Sequence, residues 1–110
     1  MGHSMGANGT WHLGFVHADV WAALAPIAAG STTPEQVDWE KLKRVPVIVC
    51  HGDADVTALI TFARAMVARM KALGVEHEFV EAAGADHGSI VPISLPKIFD
   101  FFDRHAAARH

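Results

Sequence analysis

Apolar residues fall into two rhythms along this chain, and their alternation predicts helices and strands in turn. Leu59, Phe62, Ala63, Met66, Val67, Met70 and Leu73 recur at steps of three and four, with Arg64, Arg69 and Lys71 between them. That spacing predicts an amphipathic helix with one face on a sheet, stopped by Gly74. Residues 20–27 form a nearly continuous apolar run, which reads as a strand buried on both faces and limited near its end by Pro26. Residues 45–50 give the clearest strand, because their apolar run stops at His51 and Gly52. Residues 75–81 supply another strand, followed by a loop over residues 82–90.

Three further helices complete the pattern. One runs from Gly6 to about His17 and carries Trp11, Leu13, Phe15 and Val16, with Gly9 and Gly14 lowering its regularity and allowing close packing on a sheet. Thr33-Pro34-Glu35-Gln36 has the form of a capping box, with proline at the first helical position, and predicts a short helix to about Arg44. The last runs from Ser94 or Leu95 to about His105, with Ile98, Phe99, Phe101 and Phe102 as its apolar set. Strands separated by crossovers of this length imply right-handed connections and a parallel sheet. The expected fold class is therefore α/β, with about three parallel strands and flanking helices, in a single domain or part of one over residues 1–110. In such a sheet a site belongs at the carboxyl ends of the strands.

Composition narrows the function classes. The 110 residues are 51% hydrophobic and 19% charged, as expected of a packed domain or part of one. A formal net charge of −3, with no basic run longer than Lys43-Arg44, gives no electrostatic reason to expect nucleic acid or an anionic membrane as a partner. No segment reaches the roughly 18–20 apolar residues of a membrane span, and the N-terminus lacks a basic region followed by an apolar one. A secretion signal of a longer parent would lie upstream. The single cysteine, Cys50, stands in an apolar run and reads as a buried core thiol. His3, His12, His17, His51, His77, His105 and His110 form no metal-ligand motif, so no metal site is expected.

The candidate chemistry lies at the predicted strand ends. Gly2-His3-Ser4-Met5-Gly6 is a G-x-S-x-G sequence, the nucleophile-elbow motif, in which the small residues Gly2 and Gly6 relieve crowding around a sharp strand-to-helix turn. His51-Gly52-Asp53-Ala54-Asp55 follows the second predicted strand, and Gly84-Ala85-Asp86-His87-Gly88 lies after the third. Acyl transfer needs these residue types. A serine hydroxyl is a poor nucleophile at neutral pH, an imidazole must take its proton and return it to the leaving group, and a carboxylate must orient the imidazole and stabilise its cation.

On these motifs, and on Ala7-Asn8-Gly9-Thr10-Trp11-His12-Leu13 and His17-Ala18-Asp19-Val20-Trp21-Ala22-Ala23-Leu24-Ala25-Pro26-Ile27, the chain resembles the carboxyl-terminal half of the α/β-hydrolase superfamily. It looks most similar to bacterial esterases related to predicted peptidases, feruloyl esterases and polyhydroxybutyrate depolymerases, and the resemblance covers essentially the whole chain. It implies Ser4 as nucleophile, His87 as base and acid, Asp55 as the orienting carboxylate and the Met5 N–H as one oxyanion donor. Asp53 competes with Asp55 for the acid role; the family spacing favours Asp55, leaving Asp53 as a loop or turn residue. Asp86 either tunes His87 or is simply solvated, and the solvated reading is preferred.

The resemblance also sets expectations for what surrounds the chain. The strand before the elbow would be reduced to Met1, and the second oxyanion donor would come from an absent loop. Loss of such a donor typically costs about a hundred- to a thousandfold in turnover. The strand over residues 20–27 would expose an apolar edge, so a homo-oligomer or a complementing chain is expected to cover it. The implied function is a cofactor-free serine carboxylesterase acting on a small-molecule ester. The alternative is a truncated, non-catalytic hydrolase fragment that self-associates through its sheet edge. Acyl and alcohol specificity is not legible, and the segment over residues 30–44 is the one lid candidate.

Overall fold

The computed structural model describes residues 1–109, and His110 lies outside the described residues. Its order is β1 (Gly2–His3), α1 (Met5–Val16), β2 (Pro26–Ile27), a 3-10 helix (Pro34–Gln36), α2 (Trp39–Leu42), β3 (Val47–Gly52), α3 (Ile60–Leu73), β4 (His77–Ala82) and α4 (Ile90–Arg109). The four strands form one sheet in the order β1-β2-β3-β4, and every pairing is parallel. This is an α/β arrangement whose chain returns to the same end of the sheet before each new strand.

β3 explains why the sheet needs cover on both faces. Every one of its six residues is buried. Val47 and Val49 point into a cluster with Ala7, Trp11, Leu42, Met66 and Met70, under α1, α2 and α3. Ile48 and Cys50 point the other way, into a cluster with Ile27, Ala85, Ile90, Ile98 and Phe101 under α4. The period of two along a strand thus divides one apolar run between two cores. Trp11, Met66 and Met70 are each at most 1% exposed, which makes them core rather than a substrate wall.

Several boundaries differ from the sequence pattern. Residues 20–27 are not one strand. Only Pro26–Ile27 is regular, Leu24 adds an isolated bridge to Val47, and Val20 is 62% exposed in a turn where its N–H donates to the His17 carbonyl. The apolar run is mixed in purpose, since Trp21 donates its indole N–H to the Leu13 carbonyl at the end of α1. β1 retains Gly2 and His3, which pair with Pro26 and Ile27, so the edge strand on this side of the sheet is β1 and not the strand after it, while β4 forms the other edge.

The expected helix to Arg44 is split. Gln36 does accept the Thr33 N–H through its side chain at 2.9 Å, but Val37 is extended and buried, and Asp38 restarts the chain as the N-cap of α2. Pro34, Val37 and Leu42 are all buried, and the Asn8 side-chain carbonyl accepts from the Ser31 N–H, the Thr32 N–H and the Thr32 hydroxyl. The lid candidate is thereby pinned onto α1. α3 ends as expected, with Gly74 at φ +74° donating to the Lys71 and Met70 carbonyls. α4 begins at Ile90, four residues before Ser94. Pro92 is harmless there, because a first helical turn has no use for its missing N–H. Ile98 and Phe101 are buried, whereas Phe99 is 52% exposed.

Candidate active site

Three loops converge at the carboxyl end of the sheet. Ser4 lies between β1 and α1, Asp55 follows β3, and His87 lies between β4 and α4. Ser4 holds φ +60° and ψ −118°, a conformation costing an L-residue ~1–3 kcal/mol. Its surroundings impose that turn: the Ser4 N–H donates to the Ile27 carbonyl at 2.9 Å, while the Ser4 carbonyl accepts from Ala7 at 3.0 Å and Asn8 at 3.2 Å. Gly2 is required for it, since a Cβ there would collide with the backbone of Gly6 and lie 2.6 Å from the Thr10 Oγ1. Gly6 is not crowded in the same way, because a Cβ at that position meets nothing within 4 Å among the described residues.

Ser4, His87 and Asp55 form one hydrogen-bonded line. His87 Nε2 is 2.8 Å from the Ser4 hydroxyl, and His87 Nδ1 is 2.7 Å from Asp55 Oδ2. The proton positions follow from the carboxylate. The Asp55 side chain is fully buried, and its Oδ1 accepts the Thr57 N–H at 2.9 Å and the Ala58 N–H at 2.7 Å. Burial pushes its pKa up, but the Ala58 N–H, the His87 ring and the Thr57 N–H together hold it below the ordinary aspartate value. An ionised carboxylate only accepts, so Nδ1 carries the imidazole proton and donates it. In the neutral ring Nε2 is then the acceptor, and the Ser4 hydroxyl donates to it. Asp53 points elsewhere: its Oδ1 accepts the Gly84 N–H at 2.7 Å.

Two further residues support this line. Asp86 is exposed, yet it is not merely solvated. Its Oδ1 accepts the Gly88 N–H at 3.0 Å and the Ser89 N–H at 2.8 Å, while its own N–H donates to the Ser89 hydroxyl at 2.9 Å. These reciprocal bonds cap the turn leading into α4 and lower the Asp86 pKa, through the Ser89 N–H above all. The Asp-x-x-Ser spacing at residues 86–89 is the signal that would have found it. His51 is fully buried, and its Nε2–H donates to the Ala58 carbonyl at 2.6 Å, bracing the turn that holds Asp55.

Other candidates resolve simply. Met5 is the first residue of α1, so its N–H has no carbonyl one turn earlier in the helix to receive it, and the residue is 85% exposed. Cys50 is buried in β3, and burial pushes its thiol up to about 11, so it stays protonated at neutral pH. Among the described residues no three His, Cys, Asp or Glu side chains form a metal-binding group.

No family model matches the chain, and no curated protein matches it either. Solved structures do. A thermostable esterase superposes with a TM-score of 0.80 at 25% identity, over 94% of this chain and 29% of the other. SOBER1 from Arabidopsis thaliana superposes at 0.78 and 24% identity, over 96% of this chain and 51% of that protein. A ferulic acid esterase from the anaerobic fungus Anaeromyces mucronatus superposes at 0.70 and 19% identity, over 99% and 44%. This chain spans about half of such structures or less. It has an α/β-hydrolase-like fold, shared with solved esterases.

Proposed function

We propose that this chain is the carboxyl-terminal, catalytic portion of a serine hydrolase of the carboxylesterase type, acting on a small-molecule carboxylic ester without a cofactor. The observation that carries the reading is the line from Ser4 through His87 to Asp55, with bonds of 2.8 and 2.7 Å, at the carboxyl end of a parallel sheet. The esterase-like fold supports the same chemistry.

In this reading Ser4 Oγ attacks the ester carbonyl carbon as its proton passes to His87 Nε2. Asp55 stabilises the resulting imidazolium through Nδ1–H. The tetrahedral oxyanion rests on the Met5 N–H, at the positive end of α1, with a second donor from outside this chain. Collapse breaks the bond to the alcohol oxygen, which leaves with the proton from His87 Nε2. Water then attacks the acyl-serine, giving a proton to His87, and collapse releases the acid and returns that proton to Ser4.

The open side of β1 belongs to the same proposal. Met1 and Leu13 are 56% and 50% exposed beside β1, and we infer that a second copy or a complementing chain covers this edge. The competing reading, a non-catalytic fragment that self-associates there, predicts the same association without chemistry at Ser4. An active-site-directed phosphonate separates them. Mass spectrometry should place one adduct on Ser4 and none on the Ser4→Ala variant, whereas an unlabelled chain favours the fragment.

A further inference from the structure

We propose that His3 is a positioning residue for His87, acting on its backbone while Ser4 engages its ring. This deepens the serine-hydrolase reading and rests on it. His3 Nε2 lies 2.6 Å from the His87 carbonyl oxygen. That oxygen only accepts, so Nε2 carries the proton and donates it. The two rings lie against each other, with centroids 4.7 Å apart and planes tilted by 37°.

The arrangement makes two consecutive residues hold the two ends of one. Ser4 bonds the His87 side chain and His3 bonds the His87 main chain, across sequence separations of 83 and 84 residues. Other bonds steady the loop on either side of His87. Gly84 is held by Asp53, the Ala85 carbonyl accepts from Ala54, and Asp86 caps Gly88 and Ser89. Among the described residues, only the bond from His3 reaches the main chain of His87 itself.

The physical consequence concerns distance more than stability. His87 sits on a loop between β4 and α4, whereas Ser4 is fixed to the sheet through its N–H bond to Ile27. Any slack in the loop would lengthen the Ser4–His87 bond. A donor attached to the serine's own neighbour moves with the serine, so it ties the base to the nucleophile's frame. Misplacement of a reacting group by about 1 Å can cost roughly a hundredfold in rate. His3 is exposed, so its hydrogen bond competes with water and contributes little to folding, which allows geometry and stability to be separated by experiment.

The test uses the full chain and two variants. His3→Phe keeps a ring and removes the donor, and His3→Gln places an amide N–H near the original Nε2. Two readouts are taken on folded samples, judged by thermal unfolding. These are the downfield proton resonance of His87 Nδ1–H and the second-order rate of phosphonate addition to Ser4. The expected result is a resonance broadened or lost in His3→Phe, a rate about 10- to 100-fold lower, and recovery of both in His3→Gln. If the wild-type chain does not react with phosphonate, the serine-hydrolase reading fails, and the resonance still decides the role of His3. A resonance and rate unchanged in His3→Phe, or equal losses in both variants, would overturn the inference.

Discussion

The Asp53 carboxylate accepts the Gly84 N–H at 2.7 Å, joining the loop after β3 to the loop after β4. Asp55, two residues on, uses its carboxylate for His87 at the same distance. The two neighbouring acids thus divide the work, one fastening the histidine loop and the other meeting the histidine. Asp53→Ala should lower the melting temperature and slow labelling of Ser4. Asp53→Asn keeps an accepting side-chain oxygen and should stay nearer to wild type in both measurements.

Gly52, the last residue of β3, lies close against the loop after β4 at Ala85. A Cβ there would collide with the Ala85 carbonyl and lie 2.9 Å from the Ala85 Cβ. Because the obstacle is largely main chain, it cannot rotate away. Gly52→Ala should destabilise the fold by about 1–3 kcal/mol, as overpacking of a tight interior does. Chemical denaturation measures this, and a loss of ordered His87 resonances should accompany it.

Asp55 links folding to pH. Its folded pKa is depressed, so its contribution is fully present above the unfolded value of about 3.9 and is lost as pH falls through the lower folded value. The wild-type chain should lose stability on acidification across that window. Asp55→Asn removes the titrating group, so its stability should be lower at neutral pH and fall less steeply in the same window. Denaturant midpoints measured at a series of pH values give both slopes.

How much of this was legible in the residues differs by element. The rhythm from Leu59 to Leu73 located α3 to within one residue, because one face of that helix lies on the sheet and repeats with the helical period. Ser4 behind Gly2, the Asp55 loop and His87 were each visible as short motifs, since the turn at Gly2 and the hydrogen bonds to Asp55 and His87 demand particular residue types. Residues 20–27 misled, because an apolar run does not say whether its side chains cover a helix end, as Trp21 does, or enter a ladder, as Pro26 and Ile27 do. The start of α4 at Ile90 lies ahead of the apolar set Ile98, Phe99, Phe101 and Phe102 from which the sequence places the helix, and the turn that leads into it is capped by Asp86. Phe99 and Leu59 show the remaining limit. Both are apolar and both are more than half exposed, so hydrophobicity alone did not report burial.

The most direct test of Ser4 as the nucleophile is turnover of a short-chain p-nitrophenyl ester by the chain and its Ser4→Ala variant, with sedimentation on the same samples. Hydrolysis by an associated species whose β1 edge is covered is expected, with a loss of about a thousandfold or more on removing the Ser4 hydroxyl. Equal hydrolysis by the two proteins, or none by an associated and folded wild-type chain, would rule out Ser4 as a working nucleophile in this chain.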